Sequence, residues 1–211
     1  MVHAYHIIFC AYGFWLPNDP RGSWSEFVGA WELLRFGTAT KTDTRRSVAG
    51  VAHDRVVRQA AKRELKHSPV HFTGVQAQSI GRGFAGFVDR SGVNVLACSI
   101  LPEHVHMVVS RHRFRVEQIA NLLKGAATRQ LSSDRLHPFD SSQPTNDRLP
   151  NMWARGQWKV FLNSEADISR AVRYVQDNPL KEGKQRQRWG FVRTVAARNA
   201  PLWVAAKRAD G

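Results

Sequence analysis

The sequence predicts an α+β domain in which helices pack against a ferredoxin-like antiparallel sheet. Short apolar segments of strand length alternate with longer segments of helical periodicity. Two of the strand-like segments, 93–101 and 104–110, are separated only by Pro102-Glu103, which is typical of a hairpin and therefore of antiparallel pairing. Hydrophobic residues make up 43% of the 211 residues, which is enough for a folded core.

The predicted elements follow one another as β-α-β-β-α-β, the series of a ferredoxin-like fold. Strands are predicted where short apolar, partly β-branched runs occur, at 3–10, 93–101, 104–110 and 157–162. Helices are predicted where apolar residues recur every three or four positions, at 46–66, 76–90, 116–131 and 164–178. In the last helix Ser164 is a typical N-cap with Asp167 three residues later, and Pro179 is expected to end the helix at Asn178.

The chain length fits one domain with an appended segment. We assign residues 1–183 to the domain and residues 184–211 to a basic, aromatic C-terminal tail. The stretch at about 19–68 does not fit the compact core, and we interpret it either as an insertion with its own contacts to a binding partner or as a degraded region.

The formal charge of +14 and a pI near 10.8 predict a polyanionic partner, either nucleic acid or an anionic membrane. No apolar stretch approaches the ~20 residues of a spanning helix, and the N-terminus does not resemble a signal peptide. Cys10 and Cys98 both lie in apolar runs, which favours reduced thiols over a disulfide. We therefore expect a cytoplasmic, nucleoid-associated protein with no membrane contact.

The segment Leu101-Pro102-Glu103-His104-Val105-His106-Met107-Val108-Val109 carries the main chemical signal. Side chains alternate between the two faces of a strand, so His104 and His106 point to one face while Val105, Met107 and Val109 point to the other. Two neutral imidazoles side by side can bind a divalent metal. Taken alone, the same spacing also fits two ordinary histidines at a partly buried position.

A second signal lies in the last predicted helix, where Tyr174 and Asn178 are four positions apart and so share one side. Tyr174 lies about a third of a turn away from the apolar stripe of that helix. His104, His106 and the Asn178 amide oxygen could then give a metal three ligands, and Tyr174 would be a nucleophile toward a phosphodiester. The alternatives are that Tyr174 packs beside the core and that Asn178-Pro179 only stops the helix.

These motifs resemble those of the single-tyrosine HUH transposases, and among them the REP-associated tyrosine transposases. The resemblance rests on LPEHVHMVV, NLLKGAATRQL, MWARGQWKVFL, YVQDNP and QRWGF, and covers roughly residues 75–191. A weaker match includes YHIIF and YGFWLPNDPRG near the N-terminus.

The resemblance implies metal-dependent cleavage of single-stranded DNA at hairpin-flanked sites, with a 5′-phosphotyrosine and a free 3′-hydroxyl as products. It assigns His104 and His106 as metal ligands, Tyr174 as the nucleophile and Asn178 as the residue that completes the metal site. Mg²⁺ or Mn²⁺ is the implied metal, whereas imidazole ligation alone would equally suit zinc or nickel. A homodimer is one arrangement that the sequence leaves open.

Basic and aromatic residues supply further candidates for DNA contacts. These candidates are Lys124, Arg129, Lys181, Lys184, Arg186, Arg188 and Trp189. The tail, which also holds Arg198 and Trp203, either binds a nucleic-acid strand or folds its tryptophans back onto the domain; the sequence favours neither.

The function predicted from the sequence is DNA cleavage and strand transfer by a transposase or a domesticated derivative. Two alternatives stay open, a non-catalytic nucleic-acid-binding module on the same fold and a metal-dependent nuclease that hydrolyses DNA.

Overall fold

A computed structural model describes residues 1–42, 48–139 and 149–193, and it contains a four-stranded antiparallel sheet. The strands are β1 (Ala4–Cys10), β2 (Val95–Ile100), β3 (His104–Ser110) and β4 (Trp158–Leu162). They lie in the order β2-β3-β1-β4, and each neighbouring pair is antiparallel. The predicted hairpin is therefore present, and β1 and β3 form the centre of the sheet.

Within these described ranges, four α-helices and one short 3₁₀ helix (Trp31–Phe36) accompany the sheet. The α-helices are α1 (Arg55–Arg63), α2 (Gly74–Ser91), α3 (Val116–Ser133) and α4 (Glu165–Lys181). This confirms the predicted class, an α+β domain with helices packed on an antiparallel sheet. Within the described residues, no helix is both long and apolar enough to cross a membrane.

The larger hydrophobic core lies between one face of the sheet and helices α2 and α3. Val105, Met107 and Val109 of β3 are fully buried there, as their alternation along the strand predicts. Phe84 of α2 and Leu123 of α3 are also fully buried in this core. The apolar residues of β3 thus fix the strand against two helices.

The other face of the sheet is covered by α4, which lies mainly over β2 and β3. Val175 and Ala171 of α4 pack against Leu96 and Val108 in a smaller core. Because His104 and His106 share this face with Val108, the register of β3 places both histidines on the side of the sheet where α4 lies.

Helix α4 begins as predicted and ends later than predicted. The Ser164 hydroxyl oxygen accepts a hydrogen bond from the Asp167 backbone amide, and the Asp167 carboxylate accepts one from the Ser164 backbone amide, which forms a capping box. The expected end at Asn178 is wrong, because the helix continues through Pro179 to Lys181. Pro179 lies only two residues before the end of the helix, so the loss of its amide hydrogen bond and the crowding of its ring against the preceding turn affect only the last turn.

Helix α1 is shorter than predicted. The predicted span of 46–66 is wrong over 48–54, which is not helical, while 43–47 lie outside the described residues. Asp54 accepts hydrogen bonds from the amides of Val56 and Val57 and so starts the helix at Arg55. Within the stretch 19–68, Leu33 and Ala61 pack with Leu16 into a small core of their own.

The described part of the tail packs onto the domain. The Gln187 side chain donates to the Ile100 carbonyl oxygen at 2.7 Å and accepts from the Ile100 amide at 2.7 Å. Phe191 is buried in the larger core, and Trp189 packs against the α2 backbone at Gly81. Residues 184–193 therefore fold back onto the domain, while 194–211, with Arg198 and Trp203, lie outside the described residues.

Helices α2 and α3 approach closely at Gly83, and this contact gives a stability test. A Cβ at Gly83 would lie 2.8 Å from the Ala126 carbonyl oxygen, whereas one at Gly86 of the same helix would first meet the flexible end of Arg90 at 3.3 Å. We expect Gly83→Ala to lower the free energy of unfolding by about 1–3 kcal/mol through overpacking. Gly86→Ala, the matched control, should raise it by roughly 0.5–1 kcal/mol through helix propensity. Urea denaturation measures both, and equal effects of the two substitutions would contradict the close approach.

Candidate functional site

Strand β3 presents two imidazole rings to the face on which α4 lies. The rings of His104 and His106 are 4.8 Å apart, centroid to centroid, and nearly perpendicular at 79°. In the sheet, His104 pairs with Cys10 and His106 pairs with Ile8 of β1. Backbone pairing with β1 holds the two histidines in the centre of the sheet. Their neighbours Val105 and Met107, buried on the opposite face of β3, keep both imidazoles on the α4 side.

A third histidine, His6 of β1, joins this pair. His6 Nε2 and His106 Nδ1 are 3.0 Å apart and form a hydrogen bond in which one nitrogen donates and the other accepts. Both side chains are buried. The sequence does not single out His6, because no second histidine stands at alternating spacing within its strand. Only the register of β1 against β3 brings His6 beside His106, and local spacing does not reveal that register.

All three imidazoles are held in the neutral form. Burial lowers the pKa of His6 to about 4. Burial also lowers the pKa of His104, and the negative charge of Glu182 partly opposes that effect. For His106, burial and then the positive charges of neighbouring groups lower the pKa well below its usual value. Neutral imidazole nitrogens are the form that binds metals.

Tyr174 of α4 lies against two of these histidines, His6 and His106. Its ring centroid is 5.6 Å from that of His106 and 5.7 Å from that of His6, and both ring pairs meet edge to face. The side chain is 41% exposed, so it can be reached from solvent. The Lys181 ammonium lies 3.9 Å from the centre of the Tyr174 ring. Burial raises the pKa of the Tyr174 hydroxyl, which favours the neutral phenol.

Asn178 lies one turn after Tyr174 on the same side of α4, and it is buried. Its Nδ2 atom is buried and has no hydrogen-bond partner within the described ranges. Rotation of the amide by half a turn exchanges nitrogen and oxygen, so an oxygen can occupy the same buried position. The helix around Asn178 lies close to the histidines, since Tyr174 contacts His106 and the Glu182 charge acts on His104.

His104 has an aromatic neighbour that the sequence did not reveal. The ring of Phe14, in the segment after β1, stacks on the His104 ring at a centroid distance of 5.1 Å and an interplanar angle of 8°. The His104 Nδ1 atom is buried, and the part of the chain that the structure describes offers it no hydrogen-bond partner. The stacking restricts rotation of the imidazole about its side-chain bonds.

Two imidazoles and one amide are donor types that a divalent metal accepts. Two buried polar atoms of these residues, His104 Nδ1 and Asn178 Nδ2, have no hydrogen-bond partner among the described residues, which leaves both side chains available to a ligand. In the ranges 1–42, 48–139 and 149–193, no group of three or more His, Cys, Asp or Glu side chains is arranged to hold a metal ion. A metal here would therefore need the Asn178 amide, or groups from a substrate, in addition to the two histidines.

Two of the predicted DNA contacts lie on the other side of the sheet. Lys124 of α3 is buried, and its ammonium donates to the carbonyl oxygens of Ala154 and Gly156, so it holds the segment before β4. Arg129, also on α3, lines a shallow groove between α2 and α3. Because α2 and α3 pack on the face opposite to α4, neither residue lies beside the histidines.

The remaining candidates lie at or after the end of α4. Lys181 contacts Tyr174, as described above, and Arg188 is exposed. Lys184 pairs with Glu182 at 3.1 Å, and Arg186 pairs with Asp177 at 2.6 Å. Trp189 is half-buried and stacks on Phe191. The structure thus brings Lys181 to the tyrosine and uses Trp189 in packing.

Comparison with known proteins places the chain among transposases. A sequence model described as "Transposase IS200 like" matches residues 65–178, more than half of the 211 residues and including both histidines, Tyr174 and Asn178. The chain therefore belongs to the IS200-like transposase family, and it is a DNA transposase. No curated protein sequence is similar enough to count as a match.

Several solved structures are similar to this chain, and two of them are described here. One is a REP-associated tyrosine transposase bound to a REP hairpin, with 13% identity and a TM-score of 0.46, covering 86% of this chain and 68% of that one. The other, from Deinococcus radiodurans, is also described as a transposase, with 14% identity and a TM-score of 0.36, covering 89% of this chain and 94% of that one.

The burial of Lys124 predicts a pH-dependent contribution to stability. Burial lowers the pKa of the Lys124 ammonium to about 8 in the folded protein. Above that pH the folded state releases a proton that the unfolded chain still holds, so the unfolded state binds more protons and stability rises with pH. Relative to Lys124→Met, the wild type should gain about 2 kcal/mol of unfolding free energy between pH 7.5 and 9.5.

Chemical denaturation at several pH values measures this difference. Arg129→Met is the control, because a guanidinium stays charged throughout the range. If the difference in unfolding free energy between the wild type and Lys124→Met does not change with pH, the Lys124 ammonium is solvated in the folded protein and the lowered pKa is contradicted.

Proposed function

We propose that this transposase cleaves and rejoins single-stranded DNA through a 5′-phosphotyrosine formed on Tyr174, with a divalent metal held by His104, His106 and Asn178. The observation that carries the proposal is the placement of the Tyr174 ring over His106 and His6, on the one sheet face where neutral imidazoles are grouped. A nucleophile and metal ligands are needed within one site for this chemistry, and the proposed residues come from β3 and α4, with His6 of β1 beside them.

The proposed step is a transesterification. The Tyr174 oxygen forms a bond to phosphorus, the bond from phosphorus to the 3′-oxygen breaks, and the phenol proton is transferred so that the 3′-oxygen leaves as a hydroxyl. The phosphodiester is replaced by a phosphotyrosine, and a second DNA 3′-hydroxyl can reverse the step. No ATP is consumed because one phosphate ester is exchanged for another.

The chain's own residues have distinct tasks. Tyr174 is a protonated phenol in the resting protein, so its proton has to leave as the attack proceeds. The Lys181 ammonium over the ring supplies positive charge beside the phosphate and the developing phenolate. A bound Mg²⁺ or Mn²⁺ would supply Lewis acidity toward the phosphate oxygens.

His6 supports the metal site through His106. If the His6 Nε2 atom accepts the proton on His106 Nδ1, the His106 Nε2 atom keeps a free electron pair for a metal. A metal-binding histidine commonly has its other ring nitrogen fixed by such a hydrogen bond. We therefore assign His6 as a positioning residue.

The covalent step is tested by Tyr174→Phe. The probe is a pool of fluorescent single-stranded hairpin DNAs with randomised flanks, incubated with Mn²⁺ and separated on a denaturing gel. The wild type should give a labelled band at protein mobility, and Tyr174→Phe should give none while binding the pool within about twofold, because only the attacking oxygen is removed. Tyr5→Phe is the matched control and should keep the band.

Each other outcome identifies a different function. Cut DNA without a labelled protein band would indicate hydrolysis, and binding without cutting would indicate a DNA-binding module. An adduct that persists in Tyr174→Phe would show that another residue is the nucleophile.

The role of His6 is tested by comparing His6→Gln with His6→Leu. Glutamine keeps an acceptor for His106 Nδ1 and leucine does not, so His6→Leu should weaken Mn²⁺ binding by about 10–100-fold and His6→Gln by much less. The measurement is the electron paramagnetic resonance signal of free Mn²⁺. Both His6 variants are made in the Tyr174→Phe protein, which is the reference, and no DNA is present. Equal binding by all three proteins, or equal loss in both variants, would contradict a positioning role.

A further inference from the structure

A pocket of about 530 Å³ opens between α1 and the segment that leads into α2. Its wall includes Phe14, Arg58, Lys62, Arg63, His71 and Glu103. The family match begins at residue 65, so α1 and Phe14 lie outside it. We call this feature the α1 pocket.

The α1 pocket is positively charged. Arg58, Lys62 and Arg63 contribute three cations, and Glu103, which contacts His71 at 3.1 Å, contributes the one carboxylate of its wall. Arg58 and Lys62 are four positions apart on α1, an arrangement in which like charges repel. The excess of positive charge therefore favours an anionic ligand.

Arg58 also has an unused hydrogen-bond donor. Its Nε atom is buried and lacks an acceptor in the portion of the chain that the structure describes. An unsatisfied buried donor on a cation is costly, and an anion at this position would remove that cost. Burial lowers the pKa of Lys62; the Glu103 carboxylate opposes this effect, and the Arg58 charge adds to it.

The pocket adjoins the candidate catalytic site. Phe14 belongs to its wall and stacks on the ring of His104, and Glu103 immediately precedes His104 in the chain. A DNA strand with one phosphate beside Tyr174 and the histidines would continue past His104 on this side. The combination of cations with an aromatic and apolar wall, here Phe14 and Leu65, suits the phosphate and the base of a nucleotide.

We propose that the α1 pocket binds a nucleotide of the same single DNA strand, on one side of the cleaved phosphate, with Arg58 and Lys62 contacting its backbone phosphate. This inference rests on the proposed function, because it takes single-stranded DNA as the substrate. The volume of the α1 pocket lies within the range of about 300–1,000 Å³ that is usual for small-ligand sites. The stretch 19–68 thereby contributes a DNA contact through α1.

The test compares two double variants that each remove two positive charges. Arg58→Gln with Lys62→Gln changes the pocket, and Arg113→Gln with Arg115→Gln changes exposed cations beyond the opposite end of β3, some 20 Å from His104 by strand length. Both are made in Tyr174→Phe, so that binding is measured without chemistry. Urea denaturation checks that both double variants remain folded. If the pocket double variant does not fold, the single substitution Lys62→Gln takes its place.

The probes are fluorescein-labelled hairpin DNAs with a thymidine flank on the 5′ side, on the 3′ side or on neither side. For the hairpin with one of the two flanks, the pocket variant should bind about tenfold more weakly than its parent. The slope of log K against log salt should decrease in magnitude by about 0.7, as expected when the contact with one phosphate of a single strand is lost. Without that flank, the pocket variant and its parent should bind alike. The control variant should show no dependence on the flank.

Equal losses in the two double variants, or a loss in the pocket variant that is the same with and without the flanks, would overturn the pocket assignment. The result is separate from that of the covalent test. A flank-dependent loss in a protein that forms no phosphotyrosine would leave the pocket assigned and refute the proposed chemistry.

Discussion

The alternation of side chains along β3 is the constraint on which the site depends. Val105, Met107 and Val109 are fully buried against α2 and α3, and a shift of one residue in the register of β3 would exchange them with the histidines. Burial of three apolar side chains is worth several kcal/mol, roughly 1.5–3 kcal/mol each. The hydrophobic core thereby fixes the side of the sheet on which His104 and His106 lie.

Helix α4 completes the site because its apolar stripe and its functional residues occupy different sides. Val175 packs on the sheet while its neighbour Tyr174 remains partly exposed above the histidines. The continuation of the helix through Pro179 has a functional consequence, since it keeps Lys181 two turns beyond Tyr174 and over its ring. A helix that stopped at Asn178 would leave the position of this cation undetermined.

The sequence predicts those features that depend on local periodicity. The faces of β3, the apolar stripe of α4 and the Ser164 cap follow from spacings of two, three or four residues, and the structure confirms them. His6 and Phe14 could not be found in this way, because their contacts with His106 and His104 span 90 or more positions and depend on how β1 is placed against β3. The burial of Lys124 depends likewise on carbonyl groups about thirty residues away. The shared side of Tyr174 and Asn178 was predictable, whereas their distance from the histidines was not.

The return of the tail segment also closes one edge of the sheet. Strand β2 is an outer strand, and its Ile100 amide and carbonyl are both occupied by the side chain of Gln187. Farther along the same strand, the Val95 carbonyl accepts a hydrogen bond from the Arg193 amide. Outer strands with free backbone groups invite pairing with other chains. A second copy of this protein therefore cannot extend the sheet across β2 without displacing residues 187–193.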